Sequence, residues 1–121
     1  EELRNLLVEV KRISNYNQSL AVDPLLENRL KKIVDQIEKI TPDFHLLEIE
    51  ERHMIKRILR EDLPNLLHSY VSLTPLQQLE QKENVYVAIS RIELRILKLI
   101  KEMEKVKLER MEHLIRLNKV R

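Results

Sequence analysis

The 121-residue chain combines 43% apolar with 35% charged residues, contains no Gly and no Cys, and carries 22 basic against 20 acidic side chains for a net charge of +2. Without Gly, tight positive-φ hairpins and phosphate-cradling loops have no ready residue, and without Cys there are no disulfides, thiolate metal sites or thiol nucleophiles. Aromatic residues are only 3%, so Leu, Ile and Val must build the core, and the expected fold is all-α: an elongated bundle of four to five helices joined by Pro-marked corners.

In chain order, Leu3, Leu6, Leu7, Val10, Ile13 and Leu20 recur at helical spacing and predict a first helix, with a corner over 19–23. Asp23-Pro24 reads as an N-cap followed by Pro at the first helical position, where its missing N–H costs nothing. Leu26, Leu30, Ile33, Ile37 and Ile40 then mark a second helix over 24–40. Thr41-Pro42 repeats the device, with Asp43 as a first-turn acid. A third helix is expected to carry Phe44, Leu47, Met54, Ile55, Ile58 and Leu59. Pro64 interrupts it, because Pro donates no backbone N–H and disfavours helical geometry at Leu63. A kink or tight break is preferred there over a new helix capped by Asp62, since Leu63, Leu66, Leu67, Tyr70 and Val71 continue the same apolar face.

Thr74-Pro75 opens the last element. No Pro, Gly or turn cluster interrupts the chain from there to about Asn118, which predicts one helix of about 44 residues and roughly 65 Å. Its stripe runs through Leu76, Leu79, Tyr86, Ile89, Ile92, Ile96, Leu99, Ile100, Met103 and Val106, with Met111, Leu114, Ile115 and Leu117 beyond. Spacings near 3.5 and Glu/Lys-rich flanks suggest coiled-coil-like packing for this C-terminal helix. The organisation expected is a single helical domain over 1–121, made of a helical hairpin (1–40), a kinked helix (42–73) and a long helix (75–118). Charge is unevenly spread, with a net +4 over 75–121 and −2 over 41–74. The chain opens on Glu1-Glu2-Leu3 without an initiator Met, so it is expected to be a segment of a longer protein. No run approaches the roughly 18 apolar residues of a membrane span, and no signal-peptide pattern is present. Together with the absence of Cys, this gives a cytoplasmic expectation.

Sites of chemistry are scarce. Glu50 and His53 have the i, i+3 spacing of carboxylate-bridged di-metal bundles. Such a site needs a second Glu-x-x-His, and the residues three before His45, His68 and His113 are Pro42, Asn65 and Arg110. No metal, cofactor or catalytic residue is therefore assigned, and the chain is expected not to be an enzyme. Arg91, Arg95, Lys98, Lys101, Lys105, Lys107 and Arg110 form a basic face, but Glu93, Glu102, Glu104 and Glu109 interleave with it. Stacking platforms for single strands need aromatics, and only Tyr16, Phe44, Tyr70 and Tyr86 are available. A solvated salt-bridged surface is the simpler reading of that face, and Tyr70 reads as core with its hydroxyl at the rim.

The stretch from Arg60 to Leu73, with Leu63, Pro64, Leu67, Tyr70 and Leu73 at matching positions, resembles the bacterial 5-bromo-4-chloroindolyl phosphate hydrolysis (XpaC-like) family over roughly residues 55–110. In that family a helix ends in a Leu-Pro step, continues to a Tyr and a Leu, and hands over to a long helix. The resemblance implies a bacterial accessory protein linked to envelope or toxic-anion stress, and places no hydrolase motif on these residues.

The functional expectation is a non-enzymatic scaffold or protein–protein interaction module. The helices before 75 are too short to cover the long one along its length if they pack side by side. Met103, Val106, Met111, Leu114 and Ile115 are then the candidate partner-binding strip, for a homodimer or for another protein. A nucleic-acid-associated regulatory adaptor is the alternative.

Overall fold

The computed structural model describes residues 2–16 and 23–120. The corner expected over 19–22 and the side chains of Ile13, Tyr16 and Leu20 lie outside what it describes. The described residues are helical with no strand: α1 (Glu2–Tyr16), α2 (Pro24–Ile40), a 3₁₀ turn (Thr41–Leu46), α3 (Ile49–Arg57), a π turn (Ile58–Asp62), α4 (Leu63–Val71) and α5 (Pro75–Val120).

The beginning of α2 is as expected: Asp23 Oδ1 accepts the Leu26 N–H at 3.3 Å and Pro24 takes the first helical position. Its end is not. Thr41-Pro42 does not open a helix, because Thr41 stays in the helical region (φ −53°, ψ −45°) and its hydroxyl donates to the Ile37 carbonyl at 2.9 Å. An N-cap needs an extended backbone and an accepting side chain, and Thr41 offers neither. The chain instead tightens into the 3₁₀ turn, extends at Leu47, and starts α3 after Glu48, whose N–H is held by the Glu51 carboxylate at 2.9 Å. Phe44 therefore packs from the turn, outside α3.

At Pro64, where a kink or tight break was expected, the helical backbone runs on without a break from Ile49 to Val71 through a widened π turn. Asp62 is helical (φ −60°, ψ −53°) and caps nothing, while the Leu63 N–H reaches back five residues to the Ile58 carbonyl. The widened turn just before Pro64 relieves the clash its ring would make with the preceding turn of a regular helix. The helical face survives the turn, since Ile55, Ile58, Leu59, Leu63, Leu67 and Tyr70 are all buried. At Thr74 the start is doubly tied: Gln77 N–H donates to the Thr74 hydroxyl at 3.2 Å, and Thr74 N–H donates to Gln77 Oε1 at 3.0 Å. This reciprocal box satisfies two otherwise orphaned donors.

α1 and α5 each pack against both α2 and α4, which places them at opposite corners of one core. α2 and α5 run parallel, as three cross-links at nearly constant offset require: Asp23 with Tyr86, Arg29 with Ser90 and Asp43 with Lys107. α4 runs the other way along α5, with Asp62 at Arg95 and Tyr70 at Gln78. Heights then decide exposure. The 17 residues of α2 rise about 25 Å and the 46 of α5 about 69 Å. Only Val85, Ile89, Ile92, Ile96, Leu99 and Met103 of α5 are buried, a stretch of about 27 Å that matches the height of α2. Leu76 and Leu79, expected in the stripe, lie beyond that height and are exposed, whereas Val85 is a core residue the pattern did not single out.

Candidate functional site

α5 leaves the bundle after Met103. Every residue from 104 to 120 is exposed, and this 17-residue arm still carries seven large apolar side chains: Val106, Leu108, Met111, Leu114, Ile115, Leu117 and Val120. Of the five residues proposed for the strip, Val106 (39%), Met111 (56%), Leu114 (46%) and Ile115 (48%) lie on the arm, but Met103 is only 4% exposed and belongs to the core. Met103 sits within the height of α2, where Leu99 and Ile96 have covering neighbours, so it is unavailable to a partner. At 100° per residue, Val106, Leu114 and Leu117 continue the face that Leu99 and Met103 turn inward, with Arg110 at its centre and Met111 at its border.

The root of the arm is shaped by the 3₁₀ turn. Asp43, His45 and Leu46 face Val106, Lys107, Arg110, Met111 and Leu114 across a shallow groove of about 230 Å³. Asp43 pairs with Lys107 at its edge, and Leu46 is half-buried against the core. The result is an apolar floor with charged walls on a rigid helix.

At the other end of α2 lies a polar node. The Tyr86 hydroxyl donates to Asp23 Oδ2 at 2.6 Å, and Lys82 Nζ stands 3.7 Å from the same oxygen. The Arg29 guanidinium lies over the Tyr86 ring at 5.2 Å and donates to Ser90 Oγ at 2.9 Å. Burial, then the hydrogen bond to a carboxylate, pushes the Tyr86 phenol up to about 12. Burial also works to raise the Asp23 carboxyl, but bonds from Tyr86 and the Leu26 N–H, with Lys82, outweigh it and hold it below its ordinary value. Asp23 thus caps α2 and clasps α5 at once. The N-cap was legible from Asp23-Pro24; the clasp was not, because its partner is 63 residues away.

The other candidate residues disperse. Glu50 and His53 are both exposed on α3, and among the described residues no three His, Cys, Asp or Glu side chains gather where they could hold a metal ion. The basic face is divided, since Arg95 turns to Asp62 at 3.4 Å and Lys107 to Asp43. No helix among the described residues is long and apolar enough to cross a membrane. Comparison with family models, curated proteins and solved structures returned no match. Of the five positions of the resemblance noted above, Leu63, Leu67 and Tyr70 are buried, and Pro64 and Leu73 are half-buried.

Proposed function

We propose that the protein is a non-enzymatic scaffold or interaction module whose working surface is the projecting arm of α5. One observation carries this reading: the amphipathic stripe of α5 runs on for 17 residues after Met103, its last buried position. Most helical stability in proteins comes from packing an amphipathic face, and contiguous apolar surface of this kind is characteristic of binding sites. The bundle below then serves to hold the arm rigidly, with Asp23–Tyr86 at one end of α2 and Asp43–Lys107 at the other.

The test is proximity labelling or cross-linking in the native cells, comparing the natural chain with Leu114→Glu. Leu114 is surface-exposed, so the variant should unfold within about 0.5 kcal/mol of the natural chain while losing the proteins cross-linked to 104–120. Retention of the same cross-links would place the working surface elsewhere. Retention on nucleic acid that collapses steeply with salt, unchanged by Leu114→Glu, would favour the adaptor reading instead.

A further inference from the structure

Independently of what the inner face of the arm receives, we infer that the outer face of α5 pairs with a second copy of the chain, antiparallel, about a two-fold axis between Glu102 and Met103.

α5 carries a second apolar stripe that the bundle does not use. Val87, Leu94, Leu97, Leu108, Met111 and Ile115 are all exposed. At 100° per residue they fall within an arc of about 120°, centred about 140° from the buried face of Ile89, Ile96 and Met103. Their spacing is that of a heptad seam: positions 87, 94, 101, 108 and 115 form one row, and 90, 97, 104 and 111 the other. A seven-residue repeat of this kind follows a partner helix through a left-handed supercoil. The bundle meets α5 from other directions, through Lys82 with Asp23, Lys107 with Asp43 and Arg95 with Asp62. α2 comes nearest to the stripe where Tyr86 meets Asp23 and Arg29 reaches Ser90. Beyond that point Leu94, Leu97, Lys101, Glu104, Leu108 and Met111 are each exposed, so a partner helix can seat on them without displacing any element.

Charge sets the register. Two charged residues interrupt the seam, Lys101 in one row and Glu104 in the other, and a charged residue inside a seam specifies how two helices align. In an antiparallel pair each row faces the partner's other row. An axis between 102 and 103 sets Lys101 opposite the partner's Glu104, twice by symmetry. The same axis sets Leu94 opposite Met111 and Leu97 opposite Leu108, with Ser90 opposite Ile115 farther out. On the flank, Arg91 comes level with Glu112 and offsets Lys98 level with Lys105. Sliding one copy by a heptad in either direction would put both Lys101 and Glu104 against Leu or Met. Parallel pairing would face Lys101 with Lys101 and Glu104 with Glu104, and like charges so placed oppose association. Its compensation is confined to the flank, where Glu93 meets Lys98, since Lys107 is already held by Asp43.

The area is sufficient. Residues 87–118 of the two copies overlap for about 47 Å. Two helices in contact over that length bury on the order of 1,500 Å² in total, the size of a standard specific interface.

Sedimentation equilibrium on the natural chain, from about 1 to 100 µM, should show a monomer–dimer equilibrium with a micromolar constant. Lys101→Glu should weaken it at least tenfold, because acids then meet across the axis, and adding Glu104→Lys to the same chain should restore it. A parallel pair faces like charges in every one of these variants and would show no such loss and recovery. Leu114→Glu, on the inner face, should leave the constant essentially unchanged. The chain has no Cys, so any disulfide must join introduced residues. Leu94→Cys mixed with Met111→Cys should give a mixed disulfide under mild oxidation. Met111→Cys alone should stay uncross-linked, its two thiols being about 25 Å apart along the helices. All of these positions are exposed, so the variants should keep the helical circular dichroism of the natural chain. A predominant disulfide between two Met111→Cys chains would overturn the antiparallel arrangement, and a monomer mass throughout would overturn self-pairing. A dimer abolished by Leu114→Glu and indifferent to Lys101→Glu would place the contact on the inner face and overturn the outer one.

Discussion

Residues 85–103 and 104–120 of α5 use the same three-and-four spacing of aliphatic side chains, and they meet opposite fates. In the first stretch Ile89 and Ile96 are fully buried between α2 and α4; in the second, Leu114 and Ile115 stand about half exposed. The first stretch is the more apolar, 12 residues of 19 against 7 of 17, but the spacing of the stripe does not make this difference. It arises because α2 is about 25 Å tall and α5 about 69 Å, so covering neighbours run out at Met103. An amphipathic pattern states that a face requires cover, while the lengths of neighbouring elements decide whether the same chain supplies it.

The sharpest way to break this comparison is to truncate matched side chains on each side of the boundary. Ile96→Ala removes fully buried methyl groups and should cost about 3 kcal/mol. Leu114→Ala, measured below the concentration at which any pairing occurs, should cost less than about 0.5 kcal/mol. Urea unfolding followed by circular dichroism compares them directly. A large penalty at Leu114 in the monomer would mean that the arm folds back onto the bundle.

Next in size is the clasp that sets the lower edge of the covered stretch. Asp23→Ala removes the cap of α2 and the acceptor of Tyr86 together, for about 2 kcal/mol at neutral pH. The carboxyl is held below its ordinary value in the folded state, so this contribution is fully present above the unfolded value near 4 and is lost as pH falls through the folded value. The gap between the natural chain and the variant should therefore close below about pH 4. Tyr86 behaves in the opposite sense: its raised value gives stability present below the ordinary phenol range, near 10, and lost as pH rises toward 12. Tyr86→Phe should abolish that alkaline loss. Stability curves that stay parallel through both windows would show that Asp23 and Tyr86 do not interact in solution.

The smallest effect is expected at Pro64. Pro64→Ala restores a donor and removes the ring that favours the π turn, so the segment 58–64 can return to a regular helix. Stability should move by about 1 kcal/mol at most, with new amide protection at residue 64 by hydrogen exchange. A loss of several kcal/mol would mean that the π turn itself positions Ile58 and Leu59 in the core.

The sequence by itself determined the fold class and most of the helix faces. Aliphatic residues at helical spacing, no Gly, and Pro at local starts leave few alternatives to helices, and Asp23-Pro24 and Thr74-Pro75 both open one as read. It also located the face of α5 that lacks cover, because relative helix lengths can be counted from Pro to Pro. Local chemistry misled at Thr41-Pro42, where a Thr-Pro pair can end one helix as readily as begin another. The outcome depended on whether the Thr41 hydroxyl reached back to Ile37, and a capping pair at Glu48 and Glu51 offered the better start. Only tertiary structure decided that Met103 falls inside the core and Leu76 and Leu79 outside it, since burial depends on the height at which α2 and α4 stop. Likewise only tertiary structure joined Asp23 to Tyr86 and Asp43 to Lys107. Those pairs lie more than 60 residues apart, and no short-range pattern encodes the parallel register of two helices that meet through packing alone.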